Sequence, residues 1–124
     1  MMNYLSRMVY IFLIAWGLFM STAKADVHTQ SNFEDVAVLH MDMNLDLKLD
    51  EQFFEGYVDL TLKHLKPSKE VILDTNGLKI TDVYIADKDL ILRTTNWNLG
   101  APQPVNGQAL HIDINEATHK VRVH

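Results

Sequence analysis

The sequence contains no cysteine among its 124 residues. This absence excludes disulfide bonds, zinc fingers, thioredoxin-like redox motifs and cysteine nucleophiles. A chain of 14.2 kDa has room for one domain and not for two. A domain of this size without covalent cross-links depends for its stability on its apolar core alone.

Long apolar runs are also scarce, and the one that occurs lies near the start, at Met8–Met20. Its 13 residues are too few for an ordinary transmembrane helix. Arg7 is the only charge before it, and Ala23-Lys24-Ala25 after it has the A-x-A form of a signal peptidase site. We therefore interpret residues 1–25 as a helical signal peptide of an exported protein, periplasmic or secreted, with no stable membrane span after cleavage. An uncleaved membrane anchor is the alternative.

Basic side chains are few. Removal of residues 1–25 takes away Arg7 and Lys24 and no acid, so the 11 basic side chains fall to 9 against 16 acidic ones, a net charge of −7. Nucleic-acid binding depends on neutralising phosphates with lysine and arginine, which this surface would instead repel. The composition therefore excludes a nucleic acid as the partner.

The remaining 99 residues are dominated by apolar side chains at every second position. Residues 26–35 are polar and without period, which predicts a flexible leader. From Leu39 to Asp50 apolar and polar residues alternate without an error. This period of two predicts a long strand with six apolar side chains on one face and a solvent-exposed polar face opposite. Phe54–Leu62 alternates in the same way after a short polar break, so the two strands are expected to form a hairpin.

Further strand candidates follow at a spacing of about ten residues, with turn residues between them. They are Val71–Leu73, Leu78–Ile85 with a change of phase at 81–82, Leu90–Leu92, Leu110–Ile114 and Lys120–His124, while residues 97–107 are predicted to be a loop. No amphipathic helix follows the apolar run at the start. The fold class predicted for residues 36–124 is all-β, an antiparallel β-sandwich.

No residue is assigned a catalytic, cofactor-binding or metal-binding role from its pattern. His119 and His124 are the one close histidine pair, but residues five apart on a strand point to opposite faces. The isolated histidines are expected to be solvated; these are His40, His64 and His111. The carboxylates of one strand face are spread along an extended chain, unlike the converging oxygens of a calcium loop; these are Asp42, Asp46 and Asp50.

Motifs of known chemistry are missing as well. The sequence has no G-x-S-x-G and no glycine-rich phosphate loop. The zinc-peptidase signature H-E-x-x-H is also absent. From the residues alone the chain is an exported, acidic β-sandwich without a visible active site.

Three segments in order carry a resemblance to a known family. They are His40–Leu47, the hairpin strand Phe54-Glu55-Gly56 to Leu62, and Val71-Ile72-Leu73-Asp74-Thr75-Asn76-Gly77-Leu78-Lys79-Ile80. Together they resemble the start of the M1 zinc aminopeptidases, in particular the leukotriene A(4) hydrolase-like branch, whose first domain is a saddle-shaped β-sandwich. Lys120–His124 resembles a later strand of that domain. The resemblance covers 39–124, nearly all of the chain after the signal peptide.

The resemblance implies a non-catalytic, incomplete N-terminal β domain of an exported zinc aminopeptidase that acts on peptide N-termini. In that family the chemistry belongs to a thermolysin-like domain carrying H-E-x-x-H, which would be the partner of this chain and would hold the zinc. Because none of those motifs occurs here, no catalytic, cofactor or metal residue of the family is carried over, and the chain is expected to be inactive alone and to meet peptide substrates only through the parent enzyme.

Two other functions remain open on the residues alone. A stand-alone secreted β-sandwich that acts as a binding or adhesion module would have the same signal peptide and the same strand count. A small hydrolase with an unconventional site lacks any convergent set of residues to support it.

Overall fold

The computed structural model describes residues 28–124 and shows them as an all-β chain of eight strands. The strands are β1 (Val36–Lys48), β2 (Phe53–His64), β3 (Glu70–Thr75), β4 (Val83–Ala86), β5 (Arg93–Thr94), β6 (Trp97–Leu99), β7 (Gln108–Asp113) and β8 (Lys120–Val123). Within these residues there is no helix of the length and apolar character needed to cross a membrane. The predicted signal peptide lies outside the described residues.

The strands form two antiparallel sheets. One sheet has five strands in the order β1-β2-β8-β4-β5, and the other has three strands in the order β3-β7-β6. The predicted all-β, antiparallel fold class is confirmed. The short strand β8 lies between β2 and β4, where Val121 pairs with Leu60 on one side and with Ile85 on the other.

The core lies where the two sheets face each other. Ten buried apolar side chains, contributed by strands of both sheets and the residues beside them, pack into one cluster: Val36, Leu60, Leu62, Val71, Val83, Leu110, Ile112, Ile114, Val121 and Val123. They occupy alternate positions of their strands, as expected when one face of each sheet is buried against the other.

The long hairpin of β1 and β2 extends the five-stranded sheet at one edge. The two strands are paired from Val36 with His64 to Lys48 with Phe53, with one bulge between Val38 and His40. The connecting turn is closed by backbone hydrogen bonds from Glu51 to Lys48 and from Gln52 to Leu49, with Gln52 at φ 57°. The hairpin predicted from the sequence is therefore present.

The burial of β1 differs from the prediction. Six apolar side chains were expected to lie on a buried face, but they are 50–75% exposed: Leu39, Met41, Met43, Leu45, Leu47 and Leu49. Only the start of the strand reaches the core, where Val36 is 2% exposed. Strand β1 pairs with β2 alone, and among residues 28–124 no strand of the second sheet packs against its outer part.

Strand boundaries also differ in the middle of the chain. Leu90 lies in a turn at φ 59° instead of in a strand, because its amide bonds to the Asp87 carbonyl while the Asp89 carboxylate accepts the Ile91 amide. Pairing therefore starts only at Arg93. Residues 78–82 are irregular and lead into β4, so the predicted strand Leu78–Ile85 begins only at Val83, after the phase change at 81–82.

Part of the predicted loop at 97–107 is a strand. Trp97 and Leu99 of β6 are partly buried against the core and pair with Ile112 and Leu110 of β7. Both prolines of this segment lie after β6, so they do not interrupt its ladder.

The segment predicted as a flexible leader makes side-chain hydrogen bonds to β3. The Asn32 side chain accepts a hydrogen bond from the Ile72 amide at 2.8 Å and donates one to the Glu70 carbonyl at 3.0 Å. The Gln30 amide donates to the Asp74 carboxylate at 2.8 Å. These contacts depend on the side chains of single polar residues, which leave no periodic signal in a sequence.

Gly56 is the residue on which the pairing of the hairpin depends most. Its φ of 153° is a conformation that other residues rarely adopt. A Cβ atom at this position would collide with the carbonyl oxygen of Asn44 on β1 and lie 3.0 Å from the Cα atom of Leu45. Gly77, at φ 68°, has open space around the same position.

We predict that Gly56→Ala lowers the free energy of opening of the β1–β2 hairpin by about 2–4 kcal/mol, because the added methyl group collides with backbone. The control Gly77→Ala carries only the left-handed strain of about 1 kcal/mol. Hydrogen exchange of the amides of β1 and β2, followed by NMR, measures the difference. Equal protection in the two variants would show that Gly56 does not set the close approach.

Candidate functional site

A cluster of polar and aromatic side chains lies on the face of the five-stranded sheet that points away from the core. We call it the Asp59 cluster; it consists of Tyr57, Asp59, Tyr84, Lys120, Arg122 and His124. The side chains meet because β8 lies between β2 and β4, so that Arg122 faces Asp59 on one side and Tyr84 on the other. Leu60 and Val121, the next residues of the same strands, point into the core.

Asp59 is the centre of the cluster and is only 7% exposed. The Arg122 guanidinium donates two hydrogen bonds to its carboxylate, from Nε at 2.7 Å and from Nη2 at 2.8 Å. The Lys120 ammonium lies 3.6 Å from one of the same oxygens. Burying an ionised carboxylate costs free energy unless it is paired in this way. The bidentate hydrogen bond from Arg122 therefore allows Asp59 to be buried at this position of the sheet.

The pairing shifts both ionisable groups toward their charged forms. Hydrogen bonding from Arg122 is the main cause that holds the pKa of Asp59 below its usual value, with the charges of Arg122 and Lys120 acting in the same direction and burial opposing them. The same hydrogen bonds raise the pKa of Arg122 above its usual value. Asp59 is therefore ionised at neutral pH.

Aromatic rings extend the cluster on its exposed side. The Arg122 guanidinium carbon lies 3.9 Å from the centre of the Tyr57 ring, a cation–π contact. The His124 ring lies 5.3 Å from Tyr57 and 5.7 Å, edge to face, from Tyr84. The Tyr57 ring covers the guanidinium from one side, and the three rings together connect β2, the end of β8 and β4 across the surface of the sheet.

The geometry supports a structural role for the Asp59 cluster. A carboxylate that accepts a two-pronged hydrogen bond and is held ionised has no tendency to take up a proton, so it is a poor general base. No serine, threonine or histidine donates a hydrogen bond to it within the described residues. What the cluster does is hold three strands together with charge and ring contacts.

Asp59 and Arg122 carry no distinctive signal in the sequence. Each lies at a polar position of an alternating strand, which is the only signal that the sequence carries. The residues are 63 positions apart, so their pairing becomes visible only when β8 is placed beside β2.

The histidines named from the sequence are placed separately in the fold. His40 is exposed and contacts Asp42 on the same strand at 3.1 Å. His111 pairs with Glu70 across β7 and β3, with Nδ1 at 3.1 Å from the carboxylate, and is half-buried. His64 is also half-buried and donates from Nε2 to the Thr118 carbonyl at 2.7 Å. The expectation of solvated histidines therefore holds for His40 and is wrong for the other two.

The remaining named residues do not converge either. The His124 ring lies with the two tyrosines of the Asp59 cluster, while His119 is tied by its amide to the Ala86 carbonyl. Asp46 forms an exposed ion pair with Lys48. In residues 28–124 no three histidine or carboxylate side chains come close enough to hold a metal ion. The residues present therefore do not fit a zinc centre.

Comparison with known proteins places this chain beside aminopeptidases. It is 31% identical over 98 residues to leucine aminopeptidase 2 of Candida albicans, a match that spans 79% of this chain and 15% of that protein. It is also 31% identical over 96 residues to leucine aminopeptidase 2 of Aspergillus niger, spanning 76% of this chain and 15% of that protein. No protein-family model matches the chain.

The fold leads to the same group of proteins. The chain is similar to the solved structure of native leukotriene A4 hydrolase from Saccharomyces cerevisiae, with a TM-score of 0.69 and 26% sequence identity. This likeness covers 89% of the present chain and 18% of the yeast enzyme. The chain therefore spans less than one fifth of the length of the proteins that it matches.

We predict that Asp59→Asn lowers the free energy of unfolding by about 2 kcal/mol at neutral pH, because it leaves Arg122 without its charged acceptor. The folded-state pKa of Asp59 lies below its value in the unfolded chain. Its contribution to stability is therefore complete above about pH 4 and is lost as the pH falls through the folded-state pKa.

Urea denaturation of wild type and variant across this pH range measures the effect. The two stabilities should converge in acid. Asp50→Asn, which removes an exposed carboxylate in the β1–β2 turn, is the control and should change little. A constant difference between wild type and Asp59→Asn at all pH values would contradict the ion-pair account.

Proposed function

We propose that this chain, whose sequence and fold match the N-terminal domain of the M1 aminopeptidases, is a non-catalytic β domain of an exported enzyme that removes residues from peptide N-termini. The observation that carries the proposal is the combined match: 89% of the chain follows the fold of yeast leukotriene A4 hydrolase at 26% identity. Two leucine aminopeptidases match it at 31% identity over most of its length.

The sequence contains no H-E-x-x-H, and the described residues form no zinc site. In this proposal the zinc and the residues that polarise the peptide bond belong to a thermolysin-like domain outside residues 1–124. The β domain is a rigid two-sheet body that lies beside that domain and shapes the approach of the substrate. The predicted signal peptide supports export of the enzyme to the periplasm or the exterior.

A stand-alone binding module is a second candidate, and one observation favours it. The described strands of both sheets contribute the ten apolar side chains of one core cluster, and a core of its own is what independent folding requires. In this case the chain would fold and act without a catalytic partner.

We predict that the described residues can replace their counterpart in a working aminopeptidase. The 98 aligned residues of Candida albicans leucine aminopeptidase 2 are exchanged for the aligned residues of this chain. Because the fold is shared, we expect a soluble chimera that cleaves an aminoacyl-p-nitroanilide and loses this activity when zinc is chelated. The isolated chain is expected to show no turnover.

Two controls make the result decisive. Deletion of the aligned segment should abolish soluble, active enzyme, and the chimera with Asp59→Asn should melt at a lower temperature than the unmodified chimera. If the chimera is as inactive as the deletion variant while the isolated chain folds cooperatively, the stand-alone module is supported instead. Turnover by the isolated chain would contradict both proposals.

A further inference from the structure

Strand β1 presents an open edge of unusual length. It has 13 residues, and within residues 28–124 it pairs with β2 on one side and with no strand on the other. The N–H and C=O groups of the outer edge are therefore free to form a ladder. Proteins normally protect such an edge with proline, with a short strand or with a covering segment. Beyond the bulge, His40–Lys48 has no proline and no second bulge.

One face of this strand is also apolar and uncovered. Met41, Met43, Leu45 and Leu47 are each at least 50% exposed, and Val58 and Phe54 lie opposite two of them on β2. Single exposed apolar residues are common on protein surfaces, but a contiguous row along an open edge indicates an interaction site. A partner that adds a strand to this edge would continue the row of apolar side chains.

We propose that the edge of β1 binds a second copy of this chain, with the two β1 strands antiparallel and Leu45 opposite Leu45 of the other copy. The inference does not rest on the proposed function. A partner strand must keep apolar residues opposite apolar ones, so the two-fold axis passes through a residue and not between two residues. The charges of the polar face then distinguish between the possible centres, that is, the residues through which the two-fold axis could pass.

With Leu45 at the axis, residue 42 lies opposite residue 48 of the other copy. Asp42 thus faces Lys48 twice in each dimer, and Asn44 faces Asp46. Opposite charges directly across an antiparallel pair are stabilising. On the apolar face Met43 lies opposite Leu47, so large apolar side chains meet along the whole overlap.

The neighbouring centres are less favourable. With Asn44 at the axis, Asp42 lies opposite Asp46 twice, and like charges in this position are destabilising. With Asp46 at the axis, the two copies of that carboxylate face each other. With Met43 at the axis, Lys48 lies opposite Val38 and has no acidic residue across from it. A centre at Leu47 also brings Asp46 opposite Lys48, but it leaves only residues 46–48 of each β1 in the overlap. A centre at Leu45 pairs Asp42 with Lys48 within an overlap that runs from residue 42 to residue 48.

Cysteine cross-linking tests this register directly, because the chain contains no cysteine of its own. At the two-fold axis the Cα atoms of opposite residues are about 5 Å apart, within the range of a disulfide. Leu45→Cys is therefore expected to form a disulfide-linked dimer. Met43→Cys and Leu47→Cys place the two equivalent positions about 13 Å apart and are expected to cross-link at least about tenfold more slowly.

Charge reversal is the second test, read by analytical ultracentrifugation of the full chain without its signal segment. Asp42→Lys puts two lysines opposite each other twice in the dimer and should weaken association by about tenfold or more. In the single copy it removes an acid that lies in register with Asp59, so folding is preserved. Asp42→Lys with Lys48→Asp restores the match and should restore association. Glu116→Lys, an exposed turn residue with the same charge change, is the control and should have no effect.

A dimer that cross-links at position 45 and responds to Asp42→Lys supports the proposal. A monomer at all concentrations would overturn it. Faster cross-linking at 43 or 47 would overturn the register, and equal cross-linking at all three positions would indicate non-specific aggregation instead of a dimer.

Discussion

Insertion of β8 between β2 and β4 is the interaction on which the rest of the structure depends. This strand has only four residues, yet it joins the long hairpin to the second half of the sheet. Val121, with no exposed surface, and Val123 contribute to the core on one face, while Arg122 holds Asp59 on the other. Without β8 the five-stranded sheet would separate into two parts, and Asp59 would be a buried carboxylate without its arginine.

The same arrangement leaves the outer half of the hairpin uncovered. The three-stranded sheet covers β2 and β8 at their paired ends, so Leu60 and Leu62 are buried while Met43 and Leu47 are exposed. A domain of a larger enzyme and a self-pairing chain are both compatible with such a surface, because each provides a partner for an apolar face and an open edge. The chain matches less than one fifth of the length of each of these related proteins.

The sequence predicts strands well where the alternation continues over many residues. It predicts poorly which strands pack together and which faces are buried. The alternation over Leu39–Asp50 correctly predicted a strand, but burial depends on what the second sheet covers, which the alternation does not contain. Strand β6 carries no clear signal in the sequence, because prolines and glycines crowd the residues after it. The Asp59–Arg122 pair could not be found without knowing that β8 lies beside β2. The ordered set of family motifs, by contrast, predicted the relationship to M1 aminopeptidases, and the comparisons confirmed it.

The most direct test of this account is the two-dimensional ¹H–¹⁵N NMR spectrum of the chain shortened to end at His119, compared with that of the full chain. Because β8 alone joins β2 to β4, removal of its residues is expected to collapse the dispersed amide resonances of both sheets into the narrow range of an unfolded chain. A shortened chain that keeps the dispersed spectrum and a cooperative melt would contradict the central role of β8.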